Sequence, residues 1–358
     1  MTILDKYISK EFFRIFFMMI ISFIAVFLIV DFFGRIRMFL SNGATLVQMG
    51  KYFFYSLPQI IAQVIPVAVL LSSLLTFGML SRNLEITAMK ANGVSLHRTA
   101  VPVFIIAVFI SLFSFFFNEV VVPYSNQQAK HIKLVDVQKK KQGGSFKQNQ
   151  IWYKSKNAIY NFGFYDYERN VIQGITINYF DQNFGLEKRI DAREARWTGN
   201  GWIFTNVMIT SFPEGMPSIN RVGSTSLDIS ETPADFTAVQ KKADEMGYLE
   251  LRDYIKKIRS EGYDASLYIT DLHGKIAFIV VNLILVVLGI SFSLRTERSG
   301  GIAASFGAGI ILGFSYWIVF AFGLSLGRSG TLPPFLAAWT ANILFTAASV
   351  LMIFKVRT

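Results

Sequence analysis

Hydrophobic residues in this chain come in long uninterrupted runs. The first, residues 12–33, reads FFRIFFMMIISFIAVFLIVDFF. About 20 helical residues cross a bilayer's hydrocarbon core, so a run of this length predicts a membrane span. Six such runs predict six spans, near 12–33, 52–80, 99–122, 275–294, 301–327 and 333–354. The second contains Pro58 and Pro66, which a span tolerates when neighbouring groups satisfy the freed carbonyls. The fifth is rich in glycine and small residues, which predicts close helix packing. Lys6, Lys10 and Arg14 precede the uncharged stretch IFFMMIISFIAVFLIV of the first run and no small-residue cleavage site follows it, so it reads as a retained span rather than a signal peptide.

Between the third and fourth spans the pattern changes. Residues 124–272 form a polar insert, opening with a helical extension, VPYSNQQAKHIKLVDVQKKK. Then QIWYKS, AIYNFGFYDY, VIQGITINYF, RIDAREARWTG and GWIFTNVMITSF alternate in polarity, are rich in aromatics and are separated by Asn/Gly turns, the signature of short strands. WTGNGW predicts a hairpin with Asn200-Gly201 at its turn. Strands at such spacing imply a sandwich, a jelly roll or a curled sheet. Helical periodicity returns at YLELRDYIKKIRSEG, an amphipathic lead-in to the fourth span. The organisation is α+β: a first transmembrane half over 1–123, an inserted β domain with flanking helices over 124–272, and a second transmembrane half over 273–358.

Charge supplies the orientation. The net charge is +11. With six spans, Lys6, Lys10, Arg14, Arg82, Lys90, Arg98, Arg295, Arg298, Lys355 and Arg357 fall on one side, which the positive-inside rule makes cytoplasmic. Arg35, Arg37 and Lys51 in the first outer loop depart from that pattern. Both termini are then cytoplasmic and the insert is extracytoplasmic. No basic, aromatic-interleaved soluble module suggests nucleic-acid binding. The chain has no cysteine, which excludes disulfides and thiolate metal sites.

Catalytic signatures are missing. The sequence has no P-loop, no HExxH and no GxSxG, and His97, His131 and His273 are far apart along it. The chain therefore reads as non-catalytic, and uphill movement of a substrate would need a partner to supply ATP chemistry. The segment SRNLEITAMKANG, residues 81–93, interrupts the apolar pattern between spans two and three. Ser81 is placed to cap a helix of about ten residues, Glu85 suits the positive end of its dipole, and Gly93 after Asn92 stops it. Leu84, Ala88 and Ala91 would share a small apolar face, with Glu85 and Met89 on an adjacent one. One reading is a solvated connector lying at the membrane surface. The other is a coupling helix docking into a cytoplasmic ATPase, with Glu85 meeting a basic residue.

The opening ILDKYI, then GMLSRNLEITAMKANGVS, NEVVVP and YLELRDYIKKIRSEGYDASLYITDLHGKIAF resemble the LptF/LptG family of lipopolysaccharide export permeases, nearer the LptG side. The resemblance covers essentially the whole chain. It implies a transmembrane subunit of an ATP-driven transporter in the Gram-negative inner membrane, with a periplasmic β-jellyroll-like insert. It implies pairing with an LptF-like permease on an LptB-like ATPase dimer that binds ATP and Mg, and delivery of lipopolysaccharide through an LptC-like bitopic protein. No cofactor is expected on this chain. The resemblance makes 81–93 the coupling helix, with Glu85, Leu84, Ala88 and Met89 facing the ATPase.

A lipid A headgroup calls for cations near the outer interface. Arg35 and Arg37 after span one, and Lys130 and Lys133 on the extension after span three, are the candidates, because the family carries basic residues in both regions. Interfacial cations also simply snorkel to lipid headgroups. Some family members carry lysines where this chain has Asp31 and Gln59. Lys139–Lys141 reads as a solvated helix end. Phe53, Phe54, Leu57, Ile60, Ile61 and Val64 are acyl-wall candidates, and Tyr316 and Trp317 are weaker ones. Two rival readings are a permease for another lipidated cargo, such as lipoproteins, and a membrane enzyme acting on envelope lipids.

Overall fold

The structure is a computed structural model that describes residues 2–139, 144–147, 150–155, 158–167, 169–181, 185–213, 217–227, 229, 232–233, 236, 242–260, 264–296 and 302–355. It divides into two compact units, one of residues 1–133 with 269–358 and the other of residues 134–268.

The first unit carries helices α1 (Ile3–Ser41), α2 (Leu46–Arg82), α3 (Glu85–Ala91), α4 (Leu96–Phe116) and α5 (Val122–His131). After the insert come most of α7 (Ser266–Thr296) and the whole of α8 (Ile302–Arg328) and α9 (Pro334–Lys355). Six of these segments are long and apolar enough to cross a membrane, one for each hydrophobic run of the sequence. Capping boxes start the first two: Thr2 with Asp5 on α1, and Thr45 with Gln48 on α2. The third span does not stop at 122 but runs on as helix to Val137. Pro123 lacks an amide and its ring crowds the carbonyl four residues back, and the wide π turn Phe117–Val121 just before it accommodates both defects.

α2 is the centre of this unit. From Ala68 to Phe77 it is buried on every side. Ile60, Val64, Val69, Leu71 and Leu74 join Ile8, Phe12 and Phe16 of α1, Val103 and Ile106 of α4, and Val286 of α7 in one apolar cluster. Glycines set the closest approaches. On α8, Gly309 faces Leu71 and Leu74, Gly313 faces Leu70, and Gly323 and Gly327 face Ala337 of α9. The small-residue pattern of span five is therefore a packing surface for both neighbours. Tyr316 of α8 is buried; its hydroxyl donates to Asn342 Oδ1 on α9 (2.8 Å), whose amide donates to the Ala277 carbonyl on α7 (2.9 Å). Tyr316 is thus a clasp among three helices and not part of an acyl wall. Ile60 and Val64 are likewise core residues, whereas Phe54 and Trp317 are exposed.

The second unit holds a seven-stranded antiparallel sheet: β1 (Gly144–Lys147), β2 (Gln150–Lys154), β3 (Ala158–Asp166), β4 (Val171–Phe180), β5 (Leu186–Trp197), β6 (Trp202–Ser211) and β7 (Ser218–Leu227). Strand order follows chain order, so each strand pairs with its sequence neighbours. The sheet is curled. The Phe236 ring lies 5.4 Å from that of Tyr153 on β2 and 5.8 Å from that of Trp202 on β6, so those two rings are within about 11 Å of each other. Four inter-strand steps in a flat sheet span about 19 Å. Phe236 also touches Tyr160, Phe162 and Tyr165, filling the concave face.

The β5–β6 hairpin pairs Trp197 with Trp202 across a four-residue loop. Its left-handed position is Gly199 (φ 99°), not the Asn200-Gly201 pair that the sequence suggested. The amphipathic lead-in is α6 (Tyr248–Ser260), which buries Leu251, Tyr254, Ile255 and Ile258. Tyr254 meets Tyr268 edge-on, and Tyr268 in turn meets Phe164 of β3.

Candidate functional site

The 81–93 segment folds as a short helix, shorter than its sequence suggested and capped differently. α2 continues through Arg82 and ends at Asn83. Ser81 is therefore inside α2, buried, and its hydroxyl caps nothing. The N-cap of α3 is Leu84, which takes the left-handed conformation (φ 59°) without a side-chain cap. A left-handed leucine costs about 1 kcal/mol and makes the α2–α3 corner tight. At the other end Asn92 returns its side-chain amide to the Ala88 carbonyl (2.8 Å), and Gly93 takes φ 81°.

Ile86 decides how α3 sits. It is 4% exposed and belongs to the apolar cluster of α1, α2 and α4, so one face of the helix is plugged into the bundle. Burying it contributes about 2 kcal/mol. The opposite side presents Leu84, Ala88 and Ala91 to the exterior, and Leu84 is 67% exposed. Met89 does not belong to that exposed face. It is half-buried, and its sulfur accepts a long hydrogen bond (3.9 Å) from the Thr99 hydroxyl of α4. Glu85 accepts from the Asn83 side-chain amide (3.2 Å).

Sequence reasoning missed two features of this corner: Ile86 and the Asp5–Arg98 pair. Arg98 at the start of α4 grips Asp5 of α1 with two prongs, 2.7 Å and 3.0 Å. The Thr2-x-x-Asp5 capping spacing was a readable signal for the α1 start, but the partner 93 residues away was not.

Three of the four candidate cations lie on α1 and α5, which both pack on α2, and Lys133 lies on the π turn that follows α5. Arg35 pairs with Asp31 one turn back on α1 (2.6 Å) and lies over the Tyr52 ring of α2 (5.5 Å). Arg37 is exposed. Lys130 and Lys133 are half-buried at the end of α5 and just beyond it. α5 is tied to α2 by Asn126, whose side-chain amide donates to Gln59 (3.0 Å). Tyr52 and Gln59 are seven residues apart, two turns along one stripe of α2, about 10 Å. Asp31 and Gln59 thus serve as holders here, one for an arginine and the other for an asparagine. Of the orienting cations, Arg298 and Arg357 lie outside the described residues, as do Lys140, Lys141 and the side chains of Arg295 and Lys355.

The family profile described as lipopolysaccharide export system permease LptF/LptG matches residues 6–355. The chain belongs to the LptF/LptG family. Among its curated relatives, the lipopolysaccharide export system permease protein LptG of Escherichia coli (strain K12) is 23% identical over 364 aligned positions, covering 99% of this chain and 98% of the relative. LptG of Haemophilus influenzae (strain KW20) is 24% identical over 326 positions, with 88% of each chain covered. The likeness therefore lies nearer the LptG side of the LptF/LptG family. Six spans with a sheet inserted between the third and fourth make this member an α+β membrane permease.

Proposed function

We propose that this chain is the non-catalytic, membrane-spanning permease subunit of an ATP-driven transporter that extracts lipopolysaccharide from the inner membrane and passes it to a periplasmic bridge. The observation that carries the reading is α3. Family membership puts this chain among export permeases, and α3 is a short helix between spans that is plugged into the bundle by Ile86 while Leu84 and Ala88 face outward. In this reading the α3 side is cytoplasmic, both termini lie there, and the sheet is periplasmic. An LptB-like ATPase dimer receives Leu84 and Ala88 in a groove and pairs a basic residue with Glu85. Met89 braces the helix from behind through Thr99.

Work reaches the lipid through the spans, which close on it in company with an LptF-like second permease, and an LptC-like bitopic protein takes the product onward. Arg35, Arg37, Lys130 and Lys133 meet the anionic headgroup, with Arg35 steered by Asp31 and Tyr52. ATP and Mg belong to the ATPase.

The test is purification of the tagged chain from its native membrane in mild detergent, beside the Glu85→Ala variant, with mass spectrometry of what accompanies each. The wild type should bring an ATPase, a second six-span permease and lipopolysaccharide. The variant should keep its fold and lose lipopolysaccharide-dependent ATP turnover. A chain that emerges alone in repeated preparations, or a variant that transports fully, refutes the reading.

A further inference from the structure

α3 is joined to more than the two helices that flank it in sequence. Its link to α2 is a tight corner with a left-handed leucine, and its own body is only seven residues long. Leu4, Ile8 and Phe12 of α1 pack in the same apolar cluster as Ile86 of α3 and Leu96 and Val103 of α4. Asp5 is fixed from two directions, by the Thr2 capping box on its own helix and by the two-pronged Arg98 from α4. Thr99, the residue after Arg98, holds Met89 of α3. The corner formed by α3 and the start of α4 is therefore tied to α1 by the Arg98–Asp5 pair and by the shared apolar cluster.

α1 is suited to carry what reaches it there. It is one continuous helix of 39 residues, about 58 Å long. Beyond its clasped end it is the least buried of the six spans. Its far end holds the Asp31–Arg35 pair against Tyr52 of α2. A displacement of α3 thus has a second route besides α2, by way of the N-terminal turns of α1 to the residues at its other end.

We infer that Asp5, Arg98 and Thr99 are positioning residues that yoke α3 to α1, so that a push on α3 moves α1 as a lever toward its Arg35 end. The inference rests on the coupling role proposed for α3. Asp5 and Arg98 act on Glu85 and Met89 through the helices that carry them, and need touch neither lipid nor nucleotide.

The experiment uses the complete transporter in proteoliposomes containing lipopolysaccharide, and reads lipid delivered per ATP hydrolysed. Variants are Arg98→Gln, Asp5→Asn, their double, and Thr99→Val, which exchanges a single hydroxyl for a methyl, with Glu85→Ala as reference. The yoke predicts that Arg98→Gln and Thr99→Val retain the ATPase and its hydrolysis rate within about twofold. Their delivery ratio should fall at least threefold, and the double variant should fall no further than its worse single. A merely structural bond would lower the thermal midpoint or the yield and leave that ratio unchanged. If Arg98→Gln is poorly folded, Thr99→Val decides. Normal ratios in the folded variants, with Glu85→Ala uncoupled, overturn the yoke and spare the coupling helix. Normal ratios in all of them, Glu85→Ala included, overturn both.

Discussion

Among the described glycines, Gly289 leaves the least room for a side chain, and replacing it with alanine tests how closely α7 and α2 are fitted. A Cβ at 289 would lie 2.1 Å from Ser73 Oγ, 2.8 Å from the Leu70 carbonyl oxygen and 3.2 Å from the Leu74 amide nitrogen. Two of these are backbone atoms of α2 and cannot rotate away. The Ser73 hydroxyl can move only by giving up its hydrogen bond to Leu70 O (2.8 Å), at a net cost of about 1 kcal/mol. Restoring an ordinary distance to the Leu70 oxygen then requires the helices to part by roughly 0.4 Å, a strain of the overpacking kind that costs about 1–3 kcal/mol. Gly289→Ala should therefore destabilise the unit by about 2–4 kcal/mol and lower the thermal midpoint in detergent by roughly 5 °C or more. Adding Ser73→Ala removes the hydroxyl collision and should recover part of the loss, with the backbone share remaining. Differential scanning fluorimetry of the single and double variants measures both effects. A Gly289→Ala protein that melts with the wild type, or a double variant no better than the single, refutes the close-fit account.

Two further outcomes follow from polar contacts. Tyr316→Phe leaves Asn342 Oδ1 buried without its donor, so it should cost about 1–3 kcal/mol, and a double-mutant cycle with Asn342→Ala should show strong coupling. Burial pushes the Asp264 carboxyl up, but hydrogen bonds from the Ser266 hydroxyl and amide, together with Arg169, outweigh it and hold the carboxyl below the usual carboxylate range. Its ionised form is therefore the one the fold stabilises. That contribution is complete above about pH 3.9, the unfolded value, and disappears as pH falls through the lower folded value. Acid unfolding followed by tryptophan fluorescence should show Asp264→Asn weaker than wild type at neutral pH, with the difference closing below about pH 4.

Much of this architecture was legible because hydrophobic runs and strand alternation are local signals. All six spans and five of the seven strands were readable that way. β7 was not, because SINRVGSTSL has little apolar alternation and most of its residues are exposed. β1 is only four residues long, too short to show a period. At the candidate site the acid in the first turn and the shared face of Leu84, Ala88 and Ala91 were readable from spacing, whereas the exposure of that face was not. The N-cap was not, because Ser81 is a good capping residue in isolation while the buried continuation of α2 claims it for its own last turn. Ile86 looked like one apolar residue among several, and only packing shows it as the anchor. Asp5 with Arg98, and Asn126 with Gln59, are pairs distant in sequence, and no periodicity encodes them.

The burial of α2 also constrains how the protein is made. Ser72, Ser73 and Thr76 are shut away from any surface, and Gly289 of α7 and Gly309 of α8 supply part of that enclosure. Those glycines leave the ribosome more than 200 residues after Ser73. At bacterial synthesis rates the interval is roughly 10–40 s. Throughout it, the first three spans are in the bilayer with a hydroxyl-bearing seam uncovered, while the whole β insert is synthesised. Biogenesis of this permease therefore has an obligatory half-built stage, and whatever shelters that seam from other membrane segments determines how many nascent chains become transporters.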